Sequence, residues 1–168
     1  MRTDLLLEPA LAHGLQALPA QPVLAPLVSP PLEFDHALGF DLILEGFLAH
    51  HGRPRELVLP EISALVLAGD YCFAAGLVRV ARANDVFVID ALASLVALSA
   101  GVVGTGRQAE LPNMWLGTAA AVVGSADALT RNAFSEAVRR ATHHADPSGF
   151  DALAHNVVDP PDLEGVFG

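Results

Sequence analysis

From Leu38 to His144 the apolar residues recur every three to four positions or run on unbroken. No stretch alternates with period two between turn signals, so the pattern predicts helices and no strands. Leu38 to His51 is apolar on most of its surface, which predicts a helix buried on several sides, ended by Gly52 and Pro54. Pro60 suits the first turn of a second helix running to about Ala83, with Ile62, Val66, Phe73, Leu77 and Val80 as its core stripe. Asn84-Asp85 then makes a turn, and Val86 to Ala100 forms a third helix. Gly101 to Pro112 is a glycine-containing break. Met114 to Ala126 and Asp127 to His144 supply two more helices, the last with Arg131, Arg139 and Arg140 on an exposed face. The predicted fold is all-α, with about six or seven helices.

The ends read differently. Six of the twelve prolines fall between Pro9 and Pro31, so that segment cannot be one helix. A short helix around Asp4 to Ala17 and an extended connection are expected. From Asp146 onward Pro147, Pro160 and Pro161 predict a short helix and a loose end. The expected organisation is thus a Pro-rich segment over 1–33, a helical domain over 34–145 and a loose tail over 146–168.

Charge narrows the functions. All nine cations are arginine against nineteen Asp and Glu, a formal net charge of −10, which disfavours nucleic acid and anionic lipid as partners. Without lysine there is no Schiff-base chemistry and no lysine clamp on phosphate. One cysteine, Cys72, excludes an internal disulfide framework and a cysteine-based zinc site, and it reads as a buried thiol. In the nearly uncharged run from Val86 to Gly106, Asp90 leaves a clean remainder shorter than the ~20 residues that span a bilayer. A buried core helix and no transmembrane segment are expected, with peripheral membrane contact left open. The N-terminus shows no basic segment followed by an apolar one, so no signal peptide is expected and the location is read as cytoplasmic.

Leu65 to Ala100 carries Leu-Ala-Gly-Asp-Tyr at residues 67–71, a short Asn-Asp turn and a following Ala-rich helix. Upstream lie His50-His51-Gly52-Arg53-Pro54 and, nine residues before His50, Asp41 opening the pentapeptide DLILE. Downstream is Trp115-Leu116-Gly117-Thr118-Ala119-Ala120. In this order and spacing, roughly from Phe34 to Ala126, the chain resembles the front half of a polyprenyl diphosphate synthase, a member of the isoprenoid synthase family. The resemblance implies a truncated isoprenoid-synthase-like helical bundle. It places DLILE at the first DDxxD, His50-His51-Gly52-Arg53-Pro54 at Arg-Arg-Gly-x-Pro, and Trp115 to Ala120 at Tyr-x-x-Lys-Thr-Ala.

The departures from that pattern bear on function. In the family, carboxylates one helical turn apart hold Mg²⁺ ions that bridge to a diphosphate and stabilise its departing charge. Here Asp41 and Glu45 keep the outer positions while Leu42 replaces the middle carboxylate. His50-His51 stands where two arginines would hold diphosphate oxygens, and Gly117 stands for the lysine. The second aspartate-rich helix is absent; Asp159 and Asp162 flank Pro160-Pro161, which no helix interior accommodates. Asp41, Glu45, His50, His51 and Arg53 are therefore read as vestigial metal and diphosphate positions, with no catalytic residue, no cofactor and residual Mg²⁺ binding at Asp41 and Glu45 not expected. The blander reading of Asp41 and Glu45 is two carboxylates on the helix surface or facing a neighbouring helix. Asp70 is read as a partly buried structural residue making a helix–helix hydrogen bond.

Other signals are weaker. His143-His144 with Asp146 does not converge on a metal, because adjacent helical residues point about a hundred degrees apart; a solvated helix end is expected. Gly101-Val-Val-Gly104-Thr-Gly106 follows a helix rather than a strand and lacks the Gly-Lys-Ser/Thr ending of a phosphate loop. Ser63, Ser94, Ser99 and Ser125 have no nucleophile elbow around them. Together these readings point to a non-catalytic polyprenyl synthase-like subunit pairing with a catalytic chain, with Val86 to Ala100 and Met114 to Ala126 as its interface. The alternative is a homodimeric pseudoenzyme, or a helical module that binds a lipid or an apolar isoprenoid near Leu42, Leu44 and Phe47.

Overall fold

A computed structural model of the chain describes residues 1–16, 20–28, 34–82 and 84–167. The chain is all-α, with helices in the order α1 (Arg2–Leu7), α2 (Pro9–Ala12), α3 (Ala25–Val28), α4 (Phe34–His51), α5 (Ile62–Ala81), α6 (Val86–Gly104), α7 (Leu111–Val123), α8 (Ala128–His144), α9 (Gly149–Ala154) and α10 (Glu164–Phe167). A 3₁₀ turn at Gln108–Glu110 precedes α7. Among the described residues the only β-type pairing is an isolated antiparallel bridge between Leu15 and Leu57. Two compact units divide the chain: residues 1–26 with 33–84, and residues 27–32 with 85–168. The boundary falls at the Asn84-Asp85 turn, where Asn84 takes a left-handed backbone (φ 53°) that asparagine tolerates better than most residues.

The first unit is organised by α4 and α5, which run antiparallel in very close contact. A Cβ on Gly39 would lie 2.9 Å from the Gly76 carbonyl oxygen, and one on Gly46 would lie 2.9 Å from that of Gly69. The glycines are seven residues apart on each helix, about two turns, so each pair repeats on the same face. The contact overturns most of the stripe predicted for α5, keeping only Val80 fully buried. Its buried residues are Ala68, Gly69, Cys72, Gly76 and Val80, whereas Ile62, Val66 and Leu77 are exposed and Phe73 is half-buried. The small face went inward because it lets the backbones approach, and dispersion grows steeply at short range. Below the pair, Leu5, Leu11, Leu42, Leu57, Ala68 and Cys72 form the apolar core, which puts Cys72 among the buried residues. Leu42, Leu44 and Phe47 are fully buried, so the apolar lining expected there is packed core and not a pocket wall.

The second unit wraps around α7. Leu111, Met114, Trp115, Leu116, Gly117, Thr118, Ala119, Ala121 and Val122 are all buried, which leaves Val123 and Ala126 as the exposed residues of Met114 to Ala126. Helix starts are set by aspartates: Asp85 accepts from the Phe87 amide (2.9 Å), and Asp127 accepts from the Thr130 amide (2.9 Å) and hydroxyl (2.8 Å). Phe134 meets Phe87 and Phe150 edge-on, fastening α8 to α6 and α9. The segment read as a loose tail is anchored, with Phe150, Leu153, Ala154 and Leu163 buried. Apolar side chains between the prolines suffice to hold it.

Helix α6 continues through Gly101 to Gly104, past the break expected at Gly101. Only one face is buried, through Val88, Ala91, Leu92, Leu95 and Ser99, so it is not the wholly buried core helix that its composition suggests. By length and composition alone, α5 (mean hydropathy 1.6) and α6 (2.3) are each long and apolar enough to cross a membrane; each carries an exposed aspartate, Asp70 and Asp90.

Candidate functional site

The polar centre of the first unit lies on α4. Asp41 and Glu45 are one turn apart and both fully buried, neither on the helix surface nor open to solvent. Three backbone amides converge on Asp41: Val23 (2.9 Å) and Leu24 (3.2 Å) donate to Oδ1, and Ala25 (2.9 Å) donates to Oδ2. Ala25 opens α3 and Val23 and Leu24 lead into it, so Asp41 holds the start of that helix across the fold. Glu45 accepts from the Arg55 amide (3.0 Å) at Oε2 and from the Glu56 amide (2.6 Å) at Oε1. Between the two carboxylates lies the Arg55 guanidinium. Its Nη2 is 3.3 Å from Asp41 Oδ1, its Nε is 3.7 Å from Glu45 Oε2, and its Nη1 donates to the Gln21 carbonyl (3.0 Å).

The loop after α4 is drawn in further by Glu56, itself buried, whose Oε1 accepts from the Ala20 amide (3.0 Å). The Gln16 amide donates to the Glu56 carbonyl (2.6 Å) and the Val58 amide to that of Gly14 (2.6 Å), forming the bridge at Leu15 and Leu57. Asp41 and Glu45 thus use their oxygens to tie the segment 23–25 and the loop 55–56 onto α4. Breaking such a buried, charge-assisted network leaves uncompensated groups and costs several kcal/mol.

Burial pushes the Glu45 carboxyl above its ordinary 4.5, against the pull of the Glu56 and Arg55 amides and the Arg55 guanidinium. An acid whose folded pKa is raised holds its proton longer in the folded than in the unfolded chain. Its contribution to stability is therefore largest below about pH 4.5 and falls as pH rises through the raised value. Glu45→Gln removes that titration. Urea melts from pH 4 to 8 should show the wild-type advantage over Glu45→Gln shrinking as pH rises; an advantage that grows would contradict the raised value.

The remaining sequence-derived positions do not join this network. His50 is half-buried, stacked on Phe73 (centroids 5.4 Å apart), and its Nε2 lies 3.2 Å from Asp70 Oδ1. Asp70 thus makes a polar contact between α5 and α4, but with a side chain 63% exposed rather than partly buried. His51 is exposed at the helix end beside Phe47, and burial followed by the neighbouring His50 lowers its pKa. Arg53 is exposed; Arg55, two residues on, is the arginine that reaches the carboxylates. Its signal in the sequence is slight: it opens the Arg55-Glu56-Leu57 run directly after the helix-ending Gly52 and Pro54.

In the second unit Gly117 faces the Phe150 carbonyl, 2.7 Å from where a Cβ would stand, so this position accepts no side chain. The Thr118 hydroxyl donates back to the Met114 carbonyl (2.8 Å) within α7. His143 and His144 are exposed, and Asp146 is bound to Arg140 and Ser148, whose hydrogen bonds hold its carboxyl down to about 2, Ser148 contributing most. Among the described residues no three His, Cys, Asp or Glu side chains gather as a metal site. Compared with known proteins, the sequence matches no family model, and no curated protein or solved structure gives a match to the chain.

Proposed function

We propose that this chain is a non-catalytic, cytoplasmic polyprenyl synthase-like subunit that pairs with a catalytic prenyltransferase chain in isoprenoid biosynthesis, such as that of quinone side chains. The observation that carries the reading is the outer face of α5. Ser63, Val66, Leu67, Asp70, Ala74, Leu77, Val78 and Ala81 are exposed at helical spacing, an almost wholly apolar stripe on a twenty-residue helix. Apolar stripes of this length are what helix–helix interfaces bury. The engagement of Asp41 and Glu45 by backbone amides, and the closed position at Gly117, support a chain that does no diphosphate chemistry itself. A truncated isoprenoid-synthase-like bundle is the architecture this reading implies.

A second reading is a homodimeric pseudoenzyme, in which a second copy of α5 packs on the same exposed apolar stripe.

Tagged protein purified from its native host should bring down, in stoichiometric amount, a polyprenyl synthase with two intact aspartate-rich motifs. Leu67→Glu and Val78→Glu place charges on the exposed stripe, so they should fold normally by circular dichroism and lose that partner. A buried, unpaired carboxylate costs several kcal/mol, enough to reduce capture at least about a hundredfold. Recovery of this chain alone as a dimer would replace the first reading by the second, and capture unaffected by both substitutions would remove α5 as the interface.

A further inference from the structure

We propose that the second unit binds an uncharged, largely apolar small molecule in the groove between α6 and α8. The groove is open to solvent on one side and offers about 520 Å³, within the range of about 300–1,000 Å³ typical of ligand sites. Its walls are Ala97, Leu98 and Val102 of α6, Met114 of α7, and Val138 and Ala141 of α8.

The charge state of the ligand follows from the polar groups at the rim. Among the described residues Arg107 is the one cation in the lining, and its guanidinium is already held by Glu110 (2.7 Å) and by the Ala145 carbonyl (2.7 Å). The Thr105 hydroxyl is turned back onto the Gly101 (3.1 Å) and Val102 (3.0 Å) carbonyls. An anionic ligand would have to displace Glu110, and a cationic one would meet Arg107. Desolvating a charge without a counter-charge is costly. The hydroxyls of Ser94 and Thr142 in the lining suit a ligand with one or two alcohol, ether or carbonyl oxygens.

Gly101 supplies an independent observation. Glycine inside a helix costs about 1 kcal/mol relative to alanine. Gly117 and Gly149 are required, since a Cβ there would meet the Phe150 carbonyl at 2.7 Å and the Ala137 Cβ at 2.8 Å. Nothing lies within 4 Å of a Cβ built on Gly101, so no contact inside the chain calls for glycine there. Gly101 lines the groove, so a side chain placed there would enter it.

The test uses N-phenyl-1-naphthylamine, a neutral apolar fluorophore, titrated into the full chain. Saturable binding of one molecule per chain is expected. Gly101→Leu and Ala97→Phe, both at exposed positions on α6, should each weaken it at least about tenfold while leaving the helical circular dichroism spectrum intact. Leu67→Glu on α5 should leave it unchanged, so the result is independent of the pairing proposed for that helix. The related sulfonate, 8-anilinonaphthalene-1-sulfonate, should bind at least about tenfold more weakly than the neutral probe. Absent or non-saturable binding, binding untouched by both groove-filling substitutions, or equal binding of the sulfonate would each overturn the proposal.

Discussion

Asp41→Ala should lower the free energy of unfolding by about 3–5 kcal/mol, measured by urea denaturation at pH 7. The truncation leaves the Leu24 and Ala25 amides buried without their acceptor and exposes the Val23 amide to partial loss. It also takes a counter-ion from Arg55, whose side chain is 14% exposed and now answers only to Glu45 and Gln21. Each unsatisfied buried donor costs about 1–3 kcal/mol, and an uncompensated charge costs more. Asp41→Asn keeps one acceptor oxygen and should recover part of the loss, which separates hydrogen bonding from charge. A loss below about 1 kcal/mol in Asp41→Ala would mean that the segment 23–25 is not held by this carboxylate. Because its oxygens face amides and a guanidinium, millimolar Mg²⁺ should leave the wild-type midpoint unmoved. A clear rise would return Asp41 to the role of metal ligand.

The positions of the long helices were legible because turn chemistry marks them. Gly52-Pro54, Asn84-Asp85 and the capping Asp127 stand at or beside observed helix ends. Which face turns inward was not legible. A periodicity argument assigns the largest apolar residues to the core; on α5 it chose Val80, which is buried, and Phe73, which is half-buried, but also Ile62, Val66 and Leu77, which are exposed. The competing signal was the glycine spacing, Gly39 and Gly46 on one helix and Gly69 and Gly76 on the other, which means little until the helices are known to be partners. The same limit applies to α6. Gly101 and Gly104 read as a break, yet Gly101 inside the helix costs only about 1 kcal/mol and Gly104 is its last residue, a cost that a well-packed opposite face can offset. At the candidate site, Asp41 and Glu45 stood out as carboxylates one turn apart on an apolar helix. Their donors lie 10 to 18 residues away in segments without periodicity, so nothing local in the sequence announces the network. Arg55 was hidden for the same reason.

Gly46→Ala should destabilise the chain by about 1–3 kcal/mol, against the direction that helix propensity dictates. Alanine in a helix interior is favoured over glycine by about 1 kcal/mol. The new methyl group, however, would stand 2.9 Å from the Gly69 carbonyl oxygen and 3.0 Å from the Phe73 ring. The ring can rotate away, but the carbonyl belongs to the α5 backbone and yields only if the helices separate. Separation loosens every contact along the pair, including the reciprocal one between Gly39 and Gly76, and disturbs the α4 positions that carry Asp41 and Glu45. Gly101→Ala is the matching control, for its Cβ meets nothing within 4 Å and the substitution should stabilise by up to about 1 kcal/mol. Thermal and urea melts of the two variants should therefore shift in opposite directions. Two shifts of the same stabilising sign would mean that α4 and α5 do not meet through their glycines. Opposite signs would fix the close approach of these helices as the frame on which the buried carboxylates are held.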